Sequence, residues 1–142
     1  MMKKYVFLLL LFAGMFQTAK ADTISFWHVY KNGIKVKEFN EFGKNELVID
    51  HRLVQSGDSI TVRYFRDTPC SACPSTVTVE DEKHRIITSG SGKGTFKPVS
   101  FPLRDVLAFS TATGKKTFDV FYLEGDANSR SDKMLLFTIR LE

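Results

Sequence analysis

Thr23-Ile24-Ser25-Phe26-Trp27-His28-Val29-Tyr30-Lys31-Asn32-Gly33-Ile34-Lys35-Val36-Lys37-Glu38-Phe39 is the stretch whose reading decides the fold. Side chains of an extended chain alternate between two faces. Ile24, Phe26 and Tyr30 therefore share one face, and Trp27 and Val29 share the other. Lys31-Asn32-Gly33 interrupts the pattern before Ile34 to Phe39 resumes it. A two-residue hairpin turn needs positive φ at both central positions, which Asn and Gly tolerate best, so the spacing predicts a β-hairpin. Lys35 and Lys37 then project together from its second strand, as on a wet face or a guarded sheet edge.

The same period runs through the rest of the chain. Leu47, Ile49 and Leu53 recur at even spacing with His51 in register, and Gln55-Ser56-Gly57-Asp58 is a turn cluster. Ser59 to Phe65 alternates again, with Ile60, Val62 and Tyr64 facing one way and Thr61 and Arg63 the other. Thr76 to Glu80 and His84 to Thr88 flank Asp81-Glu82-Lys83 as a second hairpin. Ser89 to Gly94 reads as a flexible turn that ends a strand, and Thr95 to Val99 as a further strand, with Pro98 placing it at an edge. One helical turn is predicted over Ser100 to Leu107, with Ser100 as N-cap and Pro102 in the first turn. Thr117 to Leu123 and Lys133 to Leu141 are the last strands, the latter burying Leu135, Phe137, Ile139 and Leu141.

About eight short strands with turn signals every 8 to 12 residues or so predict an all-β protein, an antiparallel β-sandwich, with a small β-barrel as the alternative. Before these strands stands a segment laid out as a secretory leader: Lys3 and Lys4, an apolar run from Tyr5 to Phe16, and small residues at Ala19 and Ala21. Residues 1–21 are expected to be a signal peptide and 22–142 a single domain, periplasmic or secreted, in a compartment that permits disulfides. The apolar run falls short of the roughly 20 residues a membrane span needs. The leader carries Lys3, Lys4 and Lys20 and no acid, so of 20 basic and 16 acidic residues in the chain, 17 and 16 stay in the mature protein. That near balance gives no basic patch for nucleic acid.

On this strand pattern the chain resembles, from about Thr23 to Glu142, the small immunoglobulin-like β-sandwich domains that bacteria export. It lacks the tryptophan packed between distant bridging cysteines that marks antibody domains, so the resemblance implies a fold and no binding site.

Cys70 and Cys73 are the only cysteines, in Arg66-Asp67-Thr68-Pro69-Cys70-Ser71-Ala72-Cys73-Pro74. A disulfide closing so short a loop removes little unfolded-state entropy, about 2 kcal/mol against 4 to 5 for a loop of a hundred residues. The pair therefore acts locally, by stiffening the loop, or chemically, as a redox pair or half of a metal site. A reactive thiolate gains from a helix N-terminus or a cation. Pro74 and a β-rich segment follow, and Arg66 is the nearest cation in sequence. In compartment and architecture the chain is similar to the N-terminal sandwich domain of bacterial thiol-disulfide interchange proteins, whose cysteine pair is more widely spaced. A zinc-like site needs two further ligands, and His84 is the candidate beside Cys70 and Cys73, with His51 behind it. Pro74 stands where c-type haem attachment requires a histidine.

Other constellations carry less. Ser91-Gly92-Lys93-Gly94-Thr95 lacks the upstream glycine and closing Ser/Thr of a phosphate loop. Asp126, Asn128 and Asp132 lack the central glycine and closing glutamate of a calcium loop. No GxSxG or HExxH sequence occurs, so no catalytic residue and no cofactor are assigned. The expectation is a non-catalytic binding or accessory protein whose partner is another exported protein or a glycan. Its candidate sites are the loop Arg66, Asp67, Pro69, Cys70, Cys73 and Pro74 and a recognition surface of Trp27, His28 and Tyr30. The alternative is a periplasmic thiol-disulfide or metal-handling module using Cys70 and Cys73.

Overall fold

The Asn32-Gly33 turn joins β1 (Phe26–Lys31) to β2 (Ile34–Asn40) in an antiparallel hairpin, with φ of 51° at Asn32 and 81° at Gly33. In the computed structural model, residues 24–125 and 133–142 are described; the leader and the Asp126, Asn128 and Asp132 spacing lie outside them. The further elements are β3 (Glu46–Ile49), a 3-10 turn (His51–Leu53), β4 (Ser59–Phe65), β5 (Pro74–Glu80), β6 (Ile86–Lys93), β7 (Val99–Pro102), α1 (Leu103–Thr113), β8 (Thr117–Glu124) and β9 (Met134–Leu141).

The strands form two unclosed sheets, ordered β2-β1-β4-β7 and β3-β9-β8-β5-β6. The architecture is a β-sandwich, and the barrel alternative falls because neither sheet closes on itself. Inward side chains of alternating strands make one core: Trp27 and Val29, Ile60 and Val62, Val77 and Val79, Phe118 and Val120, Phe137 and Ile139. No helix among the described residues is long and apolar enough to cross a membrane.

Several expectations need correction. The strands are not all antiparallel: β3 lies parallel to β9, clamped by Thr138 N to Asn45 O (2.9 Å) and Glu142 N to Ile49 O (2.9 Å). Leu53 and His51 do not continue β3, because the Asp50 carboxylate accepts the Arg52 amide (3.0 Å) and turns the chain into a 3-10 turn that leaves Leu53 exposed. In β9 the register slips opposite Val120 and Phe121, making Leu136 an extra residue; Leu136 and Phe137 both turn inward and Leu135 turns out. The helix is longer and later than predicted. Pro102 is extended (ψ 134°) and serves as N-cap, Leu103 and Val106 are buried, and Gly114 at φ 73° ends the helix by donating to Ser110 O (2.8 Å).

The Ser89 to Gly94 segment is not a turn either; β6 runs through it to Lys93. Its glycines serve contact rather than flexibility. A Cβ at Gly90 would sit 2.0 Å from the Ser100 carbonyl oxygen of β7, and one at Gly92 would sit 3.0 Å from Val99. These missing side chains let β6 and β7 close one side of the sandwich. The strand expected over Thr95 to Val99 starts only at Val99, because Phe96 adopts φ 69° and breaks the extended run.

Replacing Gly90 with alanine must therefore push backbone against backbone. The Gly90→Ala variant is expected to lose at least about 1 to 3 kcal/mol in urea denaturation. Gly114→Ala, with open space around its Cβ, should lose only about 1 kcal/mol for its left-handed backbone.

Candidate functional site

β4 delivers the chain to Arg66 at the end of the first sheet, and β5 takes it up again at Pro74 in the second. The loop between them bridges the two layers, and its cysteines form the Cys70–Cys73 disulfide. The loop is also held without that bond. Gly94 N donates to Cys73 O (2.8 Å), Thr95 N to Cys70 O (2.9 Å), and Cys70 N to the Thr95 hydroxyl (2.8 Å). Gly94, at φ 93°, lies so close to the loop that a Cβ there would meet Ser71 O at 2.8 Å. The cysteines are half-buried, while Asp67, Pro69, Ser71, Ala72 and Pro74 are exposed.

Beneath the loop is a polar layer in which Thr95 and the Glu124 carboxylate are buried and Arg66 is partly exposed. Arg66 Nη2 pairs with Glu124 Oε2 (2.8 Å), and Glu124 Oε1 is hydrogen bonded to the Thr95 hydroxyl. Tyr64 and Tyr122 pack beside them with ring centroids 4.7 Å apart. Burial pushes the Tyr122 phenol well above its ordinary range, and the Glu124 charge adds to the effect. The Arg66 cation is thus committed to Glu124, which weakens its use as an activator of a cysteine thiolate.

Next to the loop, the solvent face of β1 and β4 carries a strip of rings. Phe26 stacks on Phe65 (4.7 Å, 11°), His28 lies 4.9 Å from Phe65, and Phe96 covers the other side of Phe65 at 4.9 Å. Tyr30 continues the strip beyond His28 and lies under the Arg63 guanidinium. His28 Nε2 meets Glu38 Oε2 at 2.9 Å, and Lys35, bonded to the same oxygen, holds the Glu38 carboxyl below its usual range. Phe96 reaches the strip only because of its left-handed backbone, secured by its amide donating to Tyr64 O (3.1 Å). A hollow of about 270 Å³ lined by Phe26, Phe65, Phe96, Arg66 and Asp67 joins strip and loop into one surface.

Of the residues expected at a recognition surface, His28 and Tyr30 lie on this strip and Trp27 does not. Trp27 is 1% exposed, because alternation turns it inward against Tyr64 while His28 turns outward. The metal set Cys70, Cys73 and His84 is not brought together. His84 sits in the β5–β6 turn, a strand length of about 20 Å from Cys73, and His51 packs against the C-terminal Glu142. Phe65 was legible, since it shares the parity of Thr61 and Arg63. Phe96 was not, because its place depends on a positive φ that its sequence does not announce.

The chain matches no protein-family model, and no curated protein sequence matches it either.

The backbone bonds around Cys70 and Cys73 make the disulfide one of several ties. A Cys70→Ser/Cys73→Ser variant is expected to stay folded and to lose about 2 kcal/mol or less. Urea denaturation followed by circular dichroism checks this, and loss of the folded baseline in the variant would contradict it.

Proposed function

We propose that this protein is an exported, non-catalytic binding or accessory module of immunoglobulin-like type, working in the periplasm or outside the cell. Its recognition surface is the ring strip of Phe26, His28, Tyr30, Phe65 and Phe96 together with the disulfide-stiffened Arg66 to Pro74 loop. The observation that carries the reading is the unbroken contact among those rings on a solvent face, held in part by Phe96 at φ 69°. A strained backbone that presents an aromatic ring to solvent carries its cost in the free protein, and such strain clusters where a surface is used.

The orientation of the rings favours an exported protein over a glycan as partner. Phe26 and Phe65 are direct cross-strand partners, and their 4.7 Å separation equals the spacing of neighbouring strands. Nearly parallel rings at that spacing stand on edge, with their flat faces turned to each other. A sugar ring stacks on an open aromatic face, whereas apolar side chains of a protein pack well against ring edges. Rigid aromatic anchors beside a rigid loop also bind with little ordering cost.

The test is site-specific photo-crosslinking in the exporting cell, with a benzophenone amino acid at Phe96 and, as control, at exposed Lys83. A discrete adduct from the first site alone, lost when Phe26 and Phe65 are both alanine, is expected. Equal adducts from the two sites would argue against the strip. The thiol-disulfide alternative predicts a reduction potential between about −120 and −230 mV for the pair, whereas the accessory reading predicts one below about −300 mV.

A further inference from the structure

The two sides of the sandwich are unlike. On one side the glycines of β6 let it close on β7, with no room for a Cβ at Gly90. On the other, β2 and β3 are the outer strands of their sheets, each paired on one side only, and a gap separates them. Ile34 is 71% exposed, Val36 42%, Val48 41% and Leu53 69%, so four of the large apolar side chains that reach solvent gather along this one seam. Between them lies a socket of about 170 Å³ with Leu47 and Ile60 in its lining.

We propose that this seam is a second docking site, on a different side from the ring strip, that takes an extended acidic peptide segment of a partner as an added strand on β2. The occupant follows from what the seam lacks. A strand paired on one side presents backbone donors and acceptors that only another extended backbone satisfies in series. The socket has room for one large aliphatic or aromatic side chain at a time, and the exposed Val36 and Leu53 beside it lose water when one enters.

Charge sets the rest of the specificity. Lys37 pairs in register with Val29, and Phe39 with Trp27, so Lys37 lies on the inward face at the mouth of the seam. Lys35 is tied to Glu38 at 2.5 Å, whereas Lys37 takes part in no ion pair among the described residues. A carboxylate two residues along the incoming strand from its socket residue shares that residue's face and would find its partner in Lys37. A second copy of the chain fits poorly. The antiparallel register that overlaps all of β2 sets Lys37 against Lys37, and like charges facing across strands are destabilising. The register shift at Val36 further disfavours regular pairing of two identical edges.

Two fluorescein-labelled nine-residue peptides test the site by fluorescence anisotropy at low salt, each with threonine at every even position and, at the odd positions that share one face, valine alternating with glutamate in one peptide and with lysine in the other. The mature protein should bind the glutamate peptide at least about tenfold more tightly than the lysine peptide. Lys37→Glu should invert that preference, and Leu53→Lys, at an exposed position that leaves the core alone, should weaken both. Hydrogen exchange should slow at the amides of Ile34–Asn40 when the glutamate peptide is added. Absence of binding by either peptide, equal affinity for the two, or protection confined to the Phe26–Phe96 strip would each overturn the proposal. So would a dimer in sedimentation that Leu53→Lys dissociates, since it would give the seam to a second copy.

Discussion

The contact between Gly90 and the Ser100 carbonyl is the constraint on which the rest of this structure depends. Two sheets can face each other at a normal core spacing along their whole width, or they can lean together at one side. With no side chain at Gly90 and Gly92, β6 settles against β7 and the sheets lean. The same closure fixes where β7 hands the chain to α1, since Leu103 donates its amide to Asp58 O (2.9 Å) and buries its side chain against the core. It also carries β6 on to Lys93, so that the Gly94-Thr95 corner arrives under the cysteine loop. The loop's geometry is thus inherited from glycines twenty residues or so away in sequence, and the disulfide completes an arrangement that backbone hydrogen bonds already define.

A sandwich closed on one side must gape on the other unless something fills it. Phe39 does so in the middle, packing on Phe137 (5.6 Å), and the apolar seam along β2 and β3 is the part it does not reach. Natural sheet edges are blunted by charge, bulges and short strands. β2 carries Lys35, Lys37 and a register shift, which are such devices, yet Ile34 and Val36 lie among them in water. That combination opposes pairing with an identical strand while leaving apolar area uncovered. Protection against self-association and affinity for a complementary strand are compatible demands, because the first depends on charge sign and the second on shape and area.

How much of this was legible in the sequence depended on the range of the interaction. Alternation is a local property, and it placed β1, β4 and β8 correctly, together with Ile60, Val62 and Tyr64 in the core; in β2 the extra residue at Val36 turns Lys35 and Lys37, expected to project together, to opposite faces. Asn32-Gly33 is equally local, and the turn formed as read. Some of the failures have a long-range cause, and one is a local side-chain cap that the strand period does not show. Ser89 to Gly94 looks flexible until β7 is known to press on it, Leu53 follows the strand period until Asp50 caps the turn, and Leu135 holds its parity until the bulge at Leu136 reverses it. Trp27 was the instructive case for the site. Its opposition to Phe26 was visible, but which face looked inward was fixed only by the second sheet, through Tyr64 and its neighbours.

The cysteine pair illustrates the difference between a chemical group and a site. CxxC spacing alone is compatible with a staple, a redox centre or half of a metal cage, and each needs different surroundings. Redox work needs a cation free to stabilise a thiolate, but the partly exposed Arg66 is held by the buried Glu124 carboxylate, which would lose its compensation if the two separated. A metal cage needs converging donors, but the nearest candidate histidine lies at the other end of β5. What the surroundings do supply is rigidity: Thr95 and Gly94 hold both cysteine carbonyls, and the exposed Ser71-Ala72 tip stands beside the ring strip on a base that cannot deform easily. A stiff loop next to stiff aromatic edges loses little entropy on contact, and that is the property a binding surface needs more than any reactive sulfur.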